Sequence, residues 1–404
     1  MKQLKDQIYW VGATDWGVRY FHGYELSTHR GSTYNSYLIK DEKTVLIDTV
    51  WAPLTDRFLE NLREVVDIET IDYVIMNHLE PDHSGALVTL MKYIPEATII
   101  VSRKGQESIQ RHYHRKDWKI KAVTTGEKLN IGKNDLVFVE APMLHWPDSM
   151  FTYLAGQAIL FSNDAFGQHY ASSDIFQDEV DEVEVYQEAL KYYANILTPF
   201  SRLVANKIEE LKKLNLPIDI IAPSHGVIWR KEPLQIVEQY YKWATQSPPN
   251  NVVIIYNSMW GATHKMAEFI GKGIGEAGLS YKIYNIATAD RNDVLAEVFK
   301  SKGILLGSST VNNGLLTSLM PLLEDLIGLK FTNRVGAAFG SYGWSGESTS
   351  VLNEYLQKAK IKVMNEGLKF KYMPDEQDLE QCIQFGNDFA AGILREIQPA
   401  SHLL

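Results

Sequence analysis

The order of apolar and polar positions divides the chain into two segments of different rhythm. Apolar runs at residues 252–256, 280–286, 304–306 and 335–339 are short, and amphipathic stretches such as 263–277 lie between them. This alternation predicts repeated βα units that build a doubly wound parallel sheet with helices on both faces. The earlier runs, at 44–47, 73–76, 136–139 and 158–161, belong to a longer segment richer in strand, which predicts a mixed β and α domain. Between the two lies Gln246-Ser247-Pro248-Pro249-Asn250-Asn251, polar, proline-containing and without periodicity. It reads as a linker and sets the expected domains at 1–249 and 250–404. No internal repeat or low-complexity tract suggests a solenoid.

A chain of 404 residues that is 45% hydrophobic can fill two independent cores. The N-terminus carries no apolar signal region, and no stretch reaches the ~20 apolar residues of a membrane span, so the protein is expected to be cytoplasmic. Cys382 is the one cysteine, which excludes an internal disulfide and a thiolate-held zinc or iron–sulfur site. Any metal must therefore be held by imidazole and carboxylate. A formal charge of −10 argues against sequence-independent nucleic-acid binding, which rests on basic surface.

Such ligands occur in Asn77-His78-Leu79-Glu80-Pro81-Asp82-His83-Ser84-Gly85, directly after an apolar run. In an extended segment His78, Glu80 and Asp82 would point the same way. Pro81 favours an extended Glu80 and cannot continue a strand. A polar loop using His and Asp as turn and capping residues would account for this stretch equally well. Three further candidates, His145, Asp164 and His225, also stand where apolar runs give way to loops. Convergence of several such residues on one sheet rim is what an open metal site needs. The donor types suit iron, zinc or manganese and do not choose among them.

The series His78-x-Glu80-x-Asp82-His83, then His145, Asp164 and His225, resembles the flavodiiron proteins, a branch of the metallo-β-lactamase superfamily. The words His145-Trp146-Pro147-Asp148-Ser149-Met150 and Asn163-Asp164-Ala165-Phe166-Gly167-Gln168 extend the likeness. It implies an αββα sandwich in which His78, Glu80 and His145 hold one iron, Asp82, His83 and His225 hold a second, and Asp164 bridges them. Hydrolases of the superfamily usually carry His at the place of Glu80, and this departure favours the redox branch. A dinuclear zinc hydrolase with an accessory flavodoxin domain is the competing expectation.

In the second segment, Ser258, Met259, Trp260, Gly261, Ala262 and Thr263 follow the first strand and open a helix. Helix starts offer unpaired N–H donors to phosphate. The absence of a Gly-Lys-Ser/Thr ending disfavours a nucleotide-hydrolysing loop. Two more loops, containing Thr310, Val311, Asn312 and Asn313, and Ser341, Tyr342, Gly343 and Trp344, follow later strands and should meet the first at the carboxyl edge of the sheet. These loops resemble flavodoxin, which implies FMN, with the first loop on its phosphate and the other two beside the ring.

The family resemblance further implies reduction of dioxygen to water or of nitric oxide to nitrous oxide. It implies electrons from an external donor, rubredoxin or else a reduced deazaflavin coenzyme. It also implies a head-to-tail homodimer, with larger assemblies as dimers of dimers, that brings the FMN of one subunit to the irons of the other. No cysteine pairs are present to hold a fused rubredoxin iron. His22 and Tyr193 resemble residues lining the family's substrate pocket, and Lys302, Lys330 and Arg334 are candidates for donor docking. His112 and His114 lie in a basic stretch and are expected at the surface.

Overall fold

The computed structural model describes residues 1–397. They form two compact units, Met1–Tyr193 with Phe200–Thr245, and Ala194–Pro199 with the chain from Gln246 onward. In the first unit a seven-stranded sheet runs in the order Lys2–Lys5, Ile8–Trp10, Tyr37–Lys40, Thr44–Ile47, Ile71–Met76, Thr98–Ser102 and Lys119–Val123. A five-stranded sheet runs in the order Lys128–Asn130, Asp135–Glu140, Met150–Leu154, Ile159–Asn163 and Ile220–Pro223.

Side chains of one parity meet between the sheets: Ile39, Val45, Ile47, Ile75 and Ile100 share a core with Leu136, Phe138, Leu154, Ile159 and Phe161. Those of the other parity, Leu38, Leu46, Val74, Ile99 and Val101, are buried too. Double-sided burial is why these strands read as unbroken apolar runs. Helix Arg103–Tyr113 packs on the last two strands of the larger sheet. Over the smaller sheet, Lys207 of helix Ser201–Leu214 donates to the Glu140 carbonyl, and Tyr240 of helix Leu234–Thr245 packs on Phe166, which lies against Phe151. The unit is the expected αββα sandwich.

The second unit carries a parallel sheet in the order Tyr281–Asn285, Val252–Asn257, Gly303–Ser309, Val335–Tyr342, with Lys362–Val363 and Leu368–Lys371 both paired to the last of these. The order reverses between the first and third strands in sequence, the switch point of a flavodoxin-like sheet. Val253 and Ile255 enter one core and Val252, Ile254 and Tyr256 the other, so helices cover both faces. The doubly wound fold follows from that alternation.

Candidate metal and flavin sites

Strand Ile71–Met76 is pinned at its end by Asn77, whose N–H donates to Asp48 (2.8 Å) and whose side-chain oxygen accepts from Thr152 (2.7 Å). Past the strand Glu80 is itself extended (φ −58°, ψ 142°), and then Pro81–Ser84 forms a helical turn with proline at its first position. The extended claw expected through Asp82 therefore stops at Glu80. Asp82 and His83 leave from the helical turn, because proline is preorganised for the first helical position and the next residues follow it.

This turn divides the donors. His78, Glu80 and His145 offer atoms within 4.8 Å of one another, and so do Asp82, His83 and His225. Asp164 stands between the groups: one carboxylate oxygen lies 3.0 Å from His83 Nε2 and 3.7 Å from His225 Nε2, and the other 3.5 Å from His145 Nε2. His78 Nδ1 lies 3.1 Å from Asp148 Oδ1, and His225 Nδ1 lies 2.6 Å from the Thr33 carbonyl. An N–H donated at Nδ1 leaves Nε2 as the free ligand atom, and partners of this kind fix the ring for a metal.

Buried atoms here lack protein partners. Asp82 Oδ1 and Asp164 Oδ2 make no hydrogen bond, and His83 Nε2 is met only by the carboxylates of Asp164 (3.0 Å) and Asp82 (3.5 Å). Burial opposes charge on Glu80, Asp82 and Asp164, yet the surrounding imidazoles overcome it and hold all three below the ordinary carboxylate range. Burial likewise opposes charge on His83, and the Asp82 and Asp164 carboxylates push it up to about 10. These three carboxylates, Asp164 buried and Glu80 and Asp82 half-buried, therefore draw protons onto their histidines unless a cation supplies the charge. Two divalent ions would meet this demand and occupy the unpaired atoms, so the residues fit a dinuclear centre.

His22 sits at the rim with Nε2 3.2 Å from Glu80 Oε1, and that hydrogen bond raises its pKa. Tyr193 does not join it. Its hydroxyl donates to Ser201 (3.1 Å) and its ring packs on Tyr240 and Trp243. The neighbouring Tyr192 is buried beside His169 instead: burial raises its pKa, and the Asp164, Asp82 and Glu80 carboxylates add to the effect. Its ring centroid is 5.2 Å from that of His169, which stacks on Phe21 and lies 4.8 Å from His225. His169 Nδ1 is 2.9 Å from Ser32 Oγ, its Nε2 has no partner, and burial keeps it neutral by depressing its pKa. Tyr192 and His169 are buried beside the ligand His225, and motif reading missed both. His112 and His114 are exposed, as expected.

In the second unit Gly261, at φ +87°, starts helix Ala262–Glu276 with no capping side chain and no acidic residue in its first turn. Its first N–H groups are thus left for an anion. Ser258 Oγ accepts from Gly261 N (3.1 Å), shaping the loop of Ser258, Met259 and Trp260. Asn312 and Asn313, both left-handed at φ 48° and 57°, make a tight turn closed between Val311 and Gly314. Asn313 donates to Glu347 (3.0 Å) beside the third loop, and the Thr310 N–H donates to the Ser341 carbonyl (2.8 Å). Trp260 and Trp344 are 85% and 66% exposed, which rules out core packing for both. Tyr342 and Gly343 complete the third loop, where Tyr372 N donates to the Tyr342 carbonyl (2.8 Å).

The three basic residues expected near this site are elsewhere. Lys302, Lys330 and Arg334 precede strands Gly303–Ser309 and Val335–Tyr342, at the edge opposite the loops. Arg334 is also half-buried, donating to the Phe299 and Thr332 carbonyls.

A metal-binding αββα sandwich joined to a flavodoxin-like sheet defines a metalloflavoprotein of the β-lactamase fold. Residues 33–226 match the model of the ODP family beta lactamase, and 254–386 match flavodoxin. The chain is 50% identical over 390 residues to the anaerobic nitric oxide reductase flavorubredoxin of Salmonella arizonae, covering 96% of this chain and 81% of that protein. It superposes on the rubredoxin oxygen:oxidoreductase of Desulfovibrio gigas with a TM-score of 0.96 at 37% identity, covering 98% of this chain and all of that one. The flavodiiron protein of Giardia intestinalis gives 0.93 at 33% identity, with 98% of each chain covered. The chain belongs to the flavodiiron protein family.

Proposed function

We propose that this oxidoreductase carries FMN and a non-haem diiron centre and reduces nitric oxide to nitrous oxide, dioxygen to water, or both. The observation that carries the reading is Asp164, whose two carboxylate oxygens face two separate ligand groups, the arrangement of a bridging ligand. His78, Glu80 and His145 would hold one iron and Asp82, His83 and His225 the other, with Asp164 shared. Bound iron supplies an open Lewis-acidic, redox-active position for a small gas, and FMN passes electrons on singly.

The protein's own groups supply the rest. Both reductions consume protons, and His22, at the rim on Glu80, is placed to deliver them from solvent. Tyr192 and neutral His169 offer a hydroxyl and an imidazole inside the buried layer. Asp148 and the Thr33 carbonyl keep His78 and His225 turned toward their metals. The uncapped helix at Ala262 with Ser258 and Thr263 takes the flavin phosphate, and the loops bearing Thr310, Val311, Asn312 and Asn313, and Ser341, Tyr342, Gly343 and Trp344, flank the ring. Rubredoxin is the proposed donor, supported by the names of two relatives. The zinc hydrolase expectation has no support among the relatives, which bear oxidoreductase names.

Elemental analysis and visible spectra of one purified sample test the reading: about two irons and one FMN per chain are expected, with anaerobic consumption of nitric oxide or consumption of dioxygen on reduction. Zinc without flavin, in folded protein from iron-rich growth, would reject it. Asp164→Ala should lose at least one iron, and full occupancy in that variant would reject the bridge.

A further inference from the structure

Three buried hydroxyls from three different chain segments meet behind the first flavin loop. Thr263, in the first turn of helix Ala262–Glu276, lies 2.9 Å from Ser341 Oγ and 3.1 Å from Ser309 Oγ, and the two serines are 3.2 Å apart. Ser309 ends strand Gly303–Ser309, Ser341 lies in Val335–Tyr342, and all three side chains are buried. Ser309 also accepts from the Met259 N–H (3.3 Å), inside the loop itself.

Proton counting gives this triangle a function. Each hydroxyl has one proton, so a closed ring of three consumes every donor it contains. A phosphate offers only acceptors. It can therefore engage the triangle only if one hydroxyl turns its proton outward and the ring opens. Thr263 stands on the helix end whose N–H groups face an anion, so its proton is the one released. The serines then have no partner for their own protons except Thr263 Oγ1 and each other, and donation to Thr263 Oγ1 polarises its O–H toward the anion.

We propose that Ser309 is a positioning residue for the FMN phosphate: it acts through Thr263, holding that hydroxyl on the phosphate without touching the flavin. The inference rests on the FMN reading above. The alternative is that the triangle only staples three loops together, in which case the phosphate is irrelevant to it.

FMN and riboflavin differ by that phosphate alone. The full chain is stripped of flavin and titrated with each, by quenching of flavin fluorescence. For Ser309→Ala, FMN affinity should fall about tenfold, the worth of roughly one charge-assisted hydrogen bond, while riboflavin affinity stays unchanged. In a Thr263→Ala background, adding Ser309→Ala should weaken FMN no further, since the residue through which it acts is gone. Ser309→Cys, nearly isosteric but a weak donor, should lose FMN affinity as Ser309→Ala does, and it serves if the latter misfolds. Equal losses for FMN and riboflavin, or additive losses in the double variant, would overturn the inference and leave a loop staple. Wild-type protein that binds FMN no better than riboflavin would overturn it as well. Wild-type protein that binds neither would instead reject the FMN reading itself.

Discussion

Tyr192 and Tyr193 are adjacent in sequence but belong to different environments, and the difference is testable. Tyr192 closes helix Glu182–Tyr192 in phase with Val185 and Ala189, a spacing of i, i+4, i+7 that turns it inward beside His169. Tyr193 begins a π-helical turn and donates to Ser201. Tyr192→Phe should lower turnover about tenfold or alter the ratio of nitric oxide to dioxygen reduction, as expected for a lost proton or hydrogen-bond donor. Tyr193→Phe should leave both alone and cost about 1 kcal/mol of stability through its lost hydrogen bond. Steady-state assays with both gases, beside denaturant unfolding, separate the two, and the reverse pattern would return the role to Tyr193. Asp48 gives a second residue-scale test. Burial raises its pKa to about 6, so the folded metal-free protein holds that proton more tightly than the unfolded chain. Wild-type protein should therefore gain about 1 kcal/mol relative to Asp48→Asn as pH falls from 7 to 5, through the window between the folded and unfolded pKa values. Urea unfolding of both metal-free proteins at the two pH values measures the difference, and a constant gap would reject the buried charge.

At the scale of elements, the strands were legible because burial on both faces leaves their apolar runs unbroken. The ligand loops were legible because donor residues follow those runs directly, at Met76, Asn163 and Pro223. Spacing alone could not show that Pro81 starts a helical turn, so the position of Asp82 in an extended claw did not follow. His169 lies in an irregular stretch without periodicity, and nothing local marks it as a neighbour of His225. The misplacement of Lys302, Lys330 and Arg334 has a simpler cause. In a parallel sheet, residues before a strand lie at the edge opposite those after it, and all three precede their strands. The loop after strand Ile220–Pro223 carries a sharper constraint. Gly226 has φ +75°, and a Cβ there would meet Gln168 Oε1 at 2.0 Å and the Gln168 carbonyl at 2.4 Å. Gly226→Ala should cost about 2–4 kcal/mol and shift His225 beside it. Thermal unfolding and iron content measure both effects, and full iron occupancy at wild-type stability would show that the loop tolerates the side chain.

On the scale of the whole molecule, both sites open onto aromatic surface. Trp146, against the ligand His145, is exposed at the metal rim, as is Trp51, which stacks on Tyr34 beside His225. Met259, Trp260, Trp344 and Tyr372 are exposed around the flavin loops. Exposed aromatic patches of this kind mark interaction surfaces, and a head-to-tail homodimer would use both at once by laying the flavin face of one subunit on the metal face of another. Co-expression of two inactive variants distinguishes transfer between subunits from transfer within one. Asp164→Ala retains flavin but lacks a complete metal site, and Thr263→Ala combined with Gly261→Val retains metals but should lack flavin. If electrons pass within a chain, no mixture of the two can be active. If they cross between subunits, each mixed dimer contains one intact pair, the flavin of the first variant beside the metals of the second. Random pairing then restores about a quarter of wild-type activity, since half the dimers are mixed and each has one working site of two. Affinity-tagged mixed dimers, assayed for nitric oxide consumption with iron and flavin counted on the same sample, should reach about half of the wild-type rate. Inactive mixed dimers with both cofactors present would place electron transfer within the single chain.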